Sequence, residues 1–195
     1  VNMLKVNMGL KAGEKLLVVT DAPTIDEWKT KNSEKLTDAV RRSVLAKMVS
    51  EIATEKFPES SVEFFAYPSI GKHGTYPGTE VEEKMKAADV VTAITTYSLS
   101  HTDARERATQ AGARVASMPM FLAEMFYPGG PMAADYSKIA RETAKIADSI
   151  TQTNEANIKS RAGTDFTFSV KGRKGMSDSG IFTEKGAWGN LPSGE

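Results

Sequence analysis

Short apolar runs alternate with helix-forming segments along most of the chain, and this alternation constrains the fold more than any other feature. Four such runs end at turn-forming residues, as buried strands do, at positions 15–20, 62–67, 90–95 and 113–117. Parallel strands need long crossover connections, which are usually helices. We therefore predict an α/β fold, open and Rossmann-like, with a mainly parallel sheet and helices on both faces.

The longest predicted helix begins at Ser33. Apolar residues recur at every fourth position between charged ones, and these are Leu36, Val40, Val44, Met48 and Ile52. Residues four apart lie on one side of a helix. We expect this stripe to pack against the sheet.

The pattern changes after Arg161. Phe166, Phe168 and Val170 alternate with polar residues, which is the period of a half-exposed strand, and glycines then interrupt the sequence up to its last residues. We predict a Rossmann-like domain over residues 1–161. Residues 162–195 are predicted to form a β-rich extension that leads into a catalytic domain missing from this chain.

Charge and cysteine content exclude several classes of function. The 25 Lys and Arg residues balance the 25 Asp and Glu residues, so no overall positive charge favours nucleic acid or an anionic membrane. The chain has no cysteine, which excludes disulfides, thiolate metal ligands and cysteine nucleophiles. No apolar run approaches the roughly 20 residues that a transmembrane helix needs. We therefore expect a cytoplasmic protein with no nucleic-acid or membrane partner.

Ligands of open α/β sheets bind at the carboxyl ends of the strands. The turn after the first strand lacks a glycine-rich phosphate-binding motif, so we expect no nucleotide cofactor. His101 lies at the junction between the strand 90–95 and a helix, where it either bonds to nearby backbone or faces a ligand. Arg105, one turn further on, either pairs with Asp21 or Glu106 or binds a carboxylate. His101 and Arg105 are our candidate cleft residues.

The chain closes on Asn190-Leu191-Pro192-Ser193-Gly194-Glu195. A Pro-Ser-Gly turn would restrict the following carboxylate, and a restricted carboxylate can serve as a metal ligand. From spacing alone, however, a glutamate in this position is more typical of a solvated loop than of a metal site, because Glu is rarely buried.

Several segments in order resemble the thermophilic metalloprotease family, whose type members are aminopeptidases T and S. They are Ser100-His101-Thr102 with Ala104-Arg105, the run from Gly112 to Pro119, Gly163-Thr164-Asp165, Gly172-Arg173 and the closing Leu191-Pro192-Ser193-Gly194-Glu195. The resemblance runs from the first strand to the last residue.

The resemblance implies a metal-dependent aminopeptidase, a hydrolase that removes N-terminal residues from peptides and works as a homodimer at full length. It implies a dinuclear centre of zinc, cobalt or similar ions, with Glu195 as the first metal ligand in chain order. The other ligands and a catalytic Tyr would lie in a second domain. We therefore expect this fragment to contain no catalytic residue, bind no cofactor tightly and lack peptidase activity.

Two other functions stay open. One is a non-haem iron ring-cleaving dioxygenase of the 2,5-dihydroxypyridine dioxygenase type, which resembles the same family and would take its iron ligands from the missing half. The other is a non-catalytic α/β binding domain. A ligand set with two Glu downstream favours the peptidase, whereas two His with one carboxylate favour the oxygenase.

Overall fold

The computed structural model describes residues 1–194, and its contacts divide them into two compact units. The first unit comprises Val1–Ala134 and Gly180–Ser193, and the second comprises Asp135–Ser179 with Gly194. The domain boundary proposed at residue 161 stays a prediction.

The first unit is built on a five-stranded sheet in which every pair of neighbours is parallel. Its strands are β1 (Lys15–Ala22), β2 (Ser61–Pro68), β3 (Val90–Thr95), β4 (Arg114–Pro119) and β7 (Trp188–Asn190), in the order β2-β1-β3-β4-β7. The predicted α/β fold with a mainly parallel sheet is confirmed. The fifth strand, β7, was not predicted, because three residues with Gly189 in the middle carry no strand periodicity.

Helices cover both faces of this sheet. The helices of the first unit are α1 (Ile25–Thr30), α2 (Ser33–Lys56), α3 (Thr79–Lys86) and α4 (Asp103–Gln110), of which α1 buries no residue. Helix α2 packs across β1, β2 and β3, whereas α3 and α4 contact each other and share a buried cluster with Leu17, Val91 and Val115. These three residues lie side by side in the register of β1, β3 and β4, so their side chains point to one face.

The expected orientation of the α2 stripe is wrong for four of its five residues, since only Leu36 is buried. Val44 and Met48 are each 54% exposed, and Val40 and Ile52 are also exposed. The residues buried on the other side include Ala39, Leu45, Ala46, Val49 and Ala53. Residues two apart, such as Val44 and Ala46, lie about 200° apart around a helix. Alanines allow a closer approach between helix and sheet than larger side chains do, so the small-residue face packs inward.

The second unit consists of one helix and one hairpin. Helix α5 (Tyr136–Gln152) is followed by antiparallel strands β5 (Glu155–Lys159) and β6 (Asp165–Ser169). The predicted β-rich segment is therefore confirmed at β6, although its partner β5 was not predicted. Phe166 and Phe168 stack on the hairpin surface with ring centroids 5.4 Å apart.

The segment after the hairpin returns along α5. The Gly175 amide donates a hydrogen bond to Thr151 Oγ1, and Ser177 Oγ bonds to Thr143 Oγ1. A β-carbon on Gly175 would lie 2.1 Å from the carbonyl oxygen of Ala147. Gly175 is therefore required for this close approach.

Among residues 1–194, we find no helix with the length and apolar character that crossing a membrane requires.

The carboxylate of Asp21, at the end of β1, fixes the start of the loop that follows β3. Oδ1 accepts a hydrogen bond from the Thr96 amide at 2.6 Å, and Oδ2 accepts one from the Tyr97 amide at 3.1 Å. Ser43 Oγ of α2 donates to the Asp21 carbonyl oxygen at 3.0 Å. One residue therefore joins two strands and the helix that covers them.

Asp21 is fully buried. Burial raises the pKa of its carboxyl, while the two amides, the Thr96 side chain and the charge of Arg42 act in the opposite direction. Arg42 is itself buried, which lowers its pKa, and its Nε donates to Thr96 Oγ1 at 3.4 Å. Asp21 and Arg42 thus hold Thr96 from two sides.

We predict that Asp21→Asn lowers the free energy of unfolding by about 1–3 kcal/mol, because the new amide nitrogen cannot accept one of the two backbone hydrogen bonds. Urea denaturation measures the difference. Glu59→Gln, the same acid-to-amide change at an exposed position in the same unit, should stay within about 0.5 kcal/mol of the wild type.

The decrease in the free energy of unfolding caused by Asp21→Asn should also depend on pH. The raised pKa means that the Asp21 carboxyl binds its proton more tightly in the folded state than in the unfolded state. Proton binding by Asp21 therefore adds to the free energy of unfolding, and this addition is complete below the unfolded pKa of about 3.9. It is lost as the pH rises through the raised folded value. The deficit of Asp21→Asn should therefore be larger in acid than at neutral pH, and a deficit that grows with pH would contradict the direction of the shift.

Candidate functional site

The candidate site lies at the carboxyl edge of the sheet, where β3, β4 and β7 end. The loop after β3 carries a chain of side-chain hydrogen bonds along this edge. Ser98 Oγ bonds to Ser100 Oγ at 2.9 Å, and Ser100 Oγ donates to Asn190 Oδ1 at 2.5 Å. The chain therefore connects the loop after β3 to the last residue of β7.

Helix α4 begins at the end of this loop. The Thr102 side chain caps it by accepting a hydrogen bond from the Arg105 amide at 3.2 Å. The cap fixes where the first turn of α4 points, and that turn contains Arg105. His101 directly precedes the cap, so both candidate residues take their positions from Thr102.

Arg105 and His101 meet on the same aromatic ring. The Arg105 guanidinium carbon lies 3.8 Å from the centroid of Trp188, and the His101 ring contacts Trp188 edge-on at 5.8 Å between centroids. Arg105 Nε donates to the Ser100 carbonyl oxygen at 2.8 Å, and burial lowers the pKa of its guanidinium. Within residues 1–194, Arg105 forms no salt bridge with Asp21 or Glu106, the two partners considered from the sequence.

Trp188 was missed by sequence reasoning. It belongs to a glycine-rich segment, and nothing in that segment showed that its three-residue strand would join the sheet beside β4. The sequence did contain one indication of its role, which is that Trp188 is aromatic. An aromatic residue in a polar loop region often contacts a ligand or partner. We call His101, Arg105 and Trp188 the edge cluster.

A second polar group lies at the end of β1 and contains Glu27, Lys31, Ser69 and Tyr97. Lys31 Nζ donates to the Glu27 carboxylate at 2.5 Å and to Tyr97 Oη at 2.7 Å, and Ser69 Oγ donates to Glu27 at 3.0 Å. Burial raises the pKa of Glu27, but hydrogen bonds from Lys31, Thr24 and Ser69 outweigh it and lower that pKa. Each charged side chain in this group has a partner within the group, so we assign the group a structural role.

The two histidines do not form a joint site. His73 Nδ1 accepts a hydrogen bond from the Ser98 amide at 3.0 Å, and its ring contacts Tyr97 edge-on. His101 instead contacts Trp188.

The described residues do not fit a metal centre by themselves. Over positions 1–194, His, Asp and Glu side chains nowhere converge in a group of three or more that could hold a metal ion. Glu195, the metal ligand implied by the aminopeptidase resemblance, lies outside the described residues. Its role stays a prediction.

The sequence model of the NicX family, 2,5-dihydroxypyridine 5,6-dioxygenase, matches residues 5–195. Among solved structures, the chain is similar to 2,5-dihydroxypyridine dioxygenase from Pseudomonas putida KT2440, with a TM-score of 0.56 and 17% sequence identity. The match covers 93% of this chain and 49% of that protein, so this chain spans about half the length of its solved relative. At this identity the structural match shows a shared fold. No curated protein matches the chain.

These comparisons overturn the aminopeptidase interpretation. The assigned family, the hydrolase class and the protease function were wrong, and the dioxygenase considered as the alternative is the family that matches. The expectation of zinc or cobalt loses its support together with the peptidase, although a metal-dependent protein remains consistent with a dioxygenase family.

The error has a physical origin. The residues that suggested the peptidase lie in strands, turns and helix starts, including Thr102 at the start of α4 and the Gly112–Pro119 run that forms β4. Such residues specify the fold, which does not determine the chemistry of a site. Over residues 5–195, the chain belongs to the NicX family, 2,5-dihydroxypyridine 5,6-dioxygenase.

Proposed function

We propose that this chain is part of a ring-cleaving dioxygenase that acts on a dihydroxylated pyridine or a closely similar heteroaromatic ring. The family match over residues 5–195 is the observation that carries the proposal. We further propose that the metal is a non-haem iron ion and that its ligands lie outside the described residues, which contain no suitable group. No chemical step is therefore assigned to residues 1–194.

We propose that the edge cluster lines the substrate cleft. A planar hydroxylated ring suits a site that combines an aromatic face with a cation, because ring stacking and attraction to an ionised hydroxyl add together. The bonds of Arg105 to Ser100 and Thr109 use two of its five N–H donors, so further donors remain for a ligand oxygen. His101 is exposed beside it and can donate or accept a hydrogen bond.

Cellular location and partners follow from composition alone. We propose a cytoplasmic protein without a nucleic-acid partner, supported by the absence of cysteine and by the balance of charges.

The reaction is tested with the purified product of the gene that encodes these residues, loaded with Fe(II). With 2,5-dihydroxypyridine and oxygen, we expect oxygen uptake in step with loss of the ring absorbance, since a dioxygenase places both oxygen atoms in its product. Labelled oxygen should appear as both atoms in the cleaved product. An aminoacyl anilide serves as the matched peptidase substrate and should not be hydrolysed.

Failure of oxygen uptake with every dihydroxypyridine isomer would overturn the proposed function. Metal-dependent release of the anilide would do so as well, in favour of the peptidase.

The edge cluster is tested by Arg105→Ala in the same protein. We expect KM for 2,5-dihydroxypyridine to rise about tenfold, the equivalent of about 1.4 kcal/mol, with a smaller change in kcat, because Arg105 would bind the ring before the reaction rather than take part in it. Arg141→Ala, on the exposed surface of α5, is the control and should leave KM unchanged. An unchanged KM in a folded Arg105→Ala variant would exclude the edge cluster from the cleft.

A further inference from the structure

An open apolar groove of about 1040 Å³ runs beside α2 in the first unit. One wall is α2. Residues of the segment after β4, among them Phe126 and Tyr127, line it as well. Tyr127 is 57% exposed although most of its surface is apolar. The groove therefore continues an apolar surface that starts on the helix.

The exposed α2 stripe forms the rim of this groove. Val40, Val44, Met48 and Ile52 follow each other at four-residue spacing on the side of α2 opposite the sheet. From Val40 to Ile52 the stripe extends about 18 Å along the helix. Exposed apolar side chains in one continuous row are unusual on a monomer surface and mark an interaction surface.

The inner part of the stripe, from Val44 to Ile52, is symmetric about Met48, whereas Val40 has Lys56 as its equivalent. Val44 lies four residues before Met48 and Ile52 four residues after it, so both equivalent positions carry β-branched side chains. The charges flanking the stripe are opposite in sign at equivalent positions. Arg41 lies seven residues before Met48, and Glu55 lies seven residues after it.

This pattern is what a two-fold symmetric contact requires. In an antiparallel pair of α2 helices related by an axis through Met48, each residue faces the residue equally far on the other side of the axis in the second copy. Val44 then packs on Ile52, and Arg41 faces Glu55 twice in the pair. The contact is apolar along its centre and complementary in charge at both ends.

We propose that the α2 stripe is a homodimer interface, in which a second copy of this chain lays its α2 antiparallel along the stripe and closes the open side of the groove. The interface is separate from the edge cluster and independent of the reaction. It also accounts for the four large apolar side chains that α2 exposes on the side opposite its buried face.

The charge pattern supports a second copy over an unrelated apolar partner. An unrelated partner would need an apolar stripe alone, whereas the equal spacing of Arg41 and Glu55 about Met48 suits a partner that carries the same helix in the opposite direction, where Arg41 would join Lys56 as a partner of Glu55. Arg41 also lines the groove, next to the stripe.

The proposal is tested on the 195-residue chain by sedimentation equilibrium. We expect the wild type to form dimers. Arg41→Glu places two like-charged pairs of glutamates across the axis, and Glu55→Arg places two pairs of arginines there. Each change should raise the dimer dissociation constant by about tenfold or more.

An equimolar mixture of these two variants supplies the decisive result. In the mixed dimer every pair is again Arg against Glu, so dimers should form with about the affinity of the wild type. Lys86→Glu, a charge reversal on α3, is the control and should leave association unchanged. Circular dichroism of each variant checks that α2 is still folded.

Three results would each overturn the proposal. They are a wild type that remains monomeric at every concentration, single variants that associate as the wild type does, and a mixture that associates no better than its separate components.

Discussion

The buried carboxylate of Asp21 is the interaction on which the arrangement of the candidate site depends. It accepts the amides of Thr96 and Tyr97, so the chain leaves β3 in one fixed direction. The loop that begins there leads through Ser100 to the cap of α4 and thereby to Arg105. Removal of a carboxylate from water is unfavourable unless hydrogen bonds compensate for it. Here the compensation comes from backbone groups of the loop, so burial of the charge and the conformation of the loop are coupled.

The sequence was sufficient for the parts of the fold that repeat. The central strands β1 and β3 were found because a strand buried on both faces is a continuous apolar run. The α2 stripe shows the limit of periodicity. The four-residue period located the helix correctly, but it could not show which of two apolar faces of α2 packs on the sheet. The face that carries the alanines packs there, because small side chains allow the helix to approach the sheet closely. Strand β7 and Trp188 depend on a long-range pairing with β4 that no local pattern reports. The edge cluster could therefore be predicted only as His101 and Arg105, without the ring that joins them.

Function was harder to predict because the residues that the structure describes include no group of side chains that could hold a metal ion. Peptidase and dioxygenase differ in their metal ligands, and residues 1–194 contain no metal-binding group that distinguishes them. The glutamate that suggested a peptidase, Glu195, follows a turn whose restriction of a carboxylate suits either chemistry. The match to the NicX family over residues 5–195 resolves the question at the level of the family. What the structure adds is a surface with an aromatic ring, a cation and a histidine, in which Trp188 at the start of β7 contacts His101 and Arg105 at the start of α4.

Hydrogen–deuterium exchange of the wild type and of Asp21→Ala tests most directly whether Asp21 fixes the loop that presents the edge cluster. The account predicts that amides from Thr96 to Thr102 lose protection in the variant, while the ladder between β1 and β3 stays protected in the same sample. Unchanged protection of the loop would contradict the account. Equal loss of protection throughout the sheet would also contradict it, because Asp21 would then support the whole domain rather than the loop.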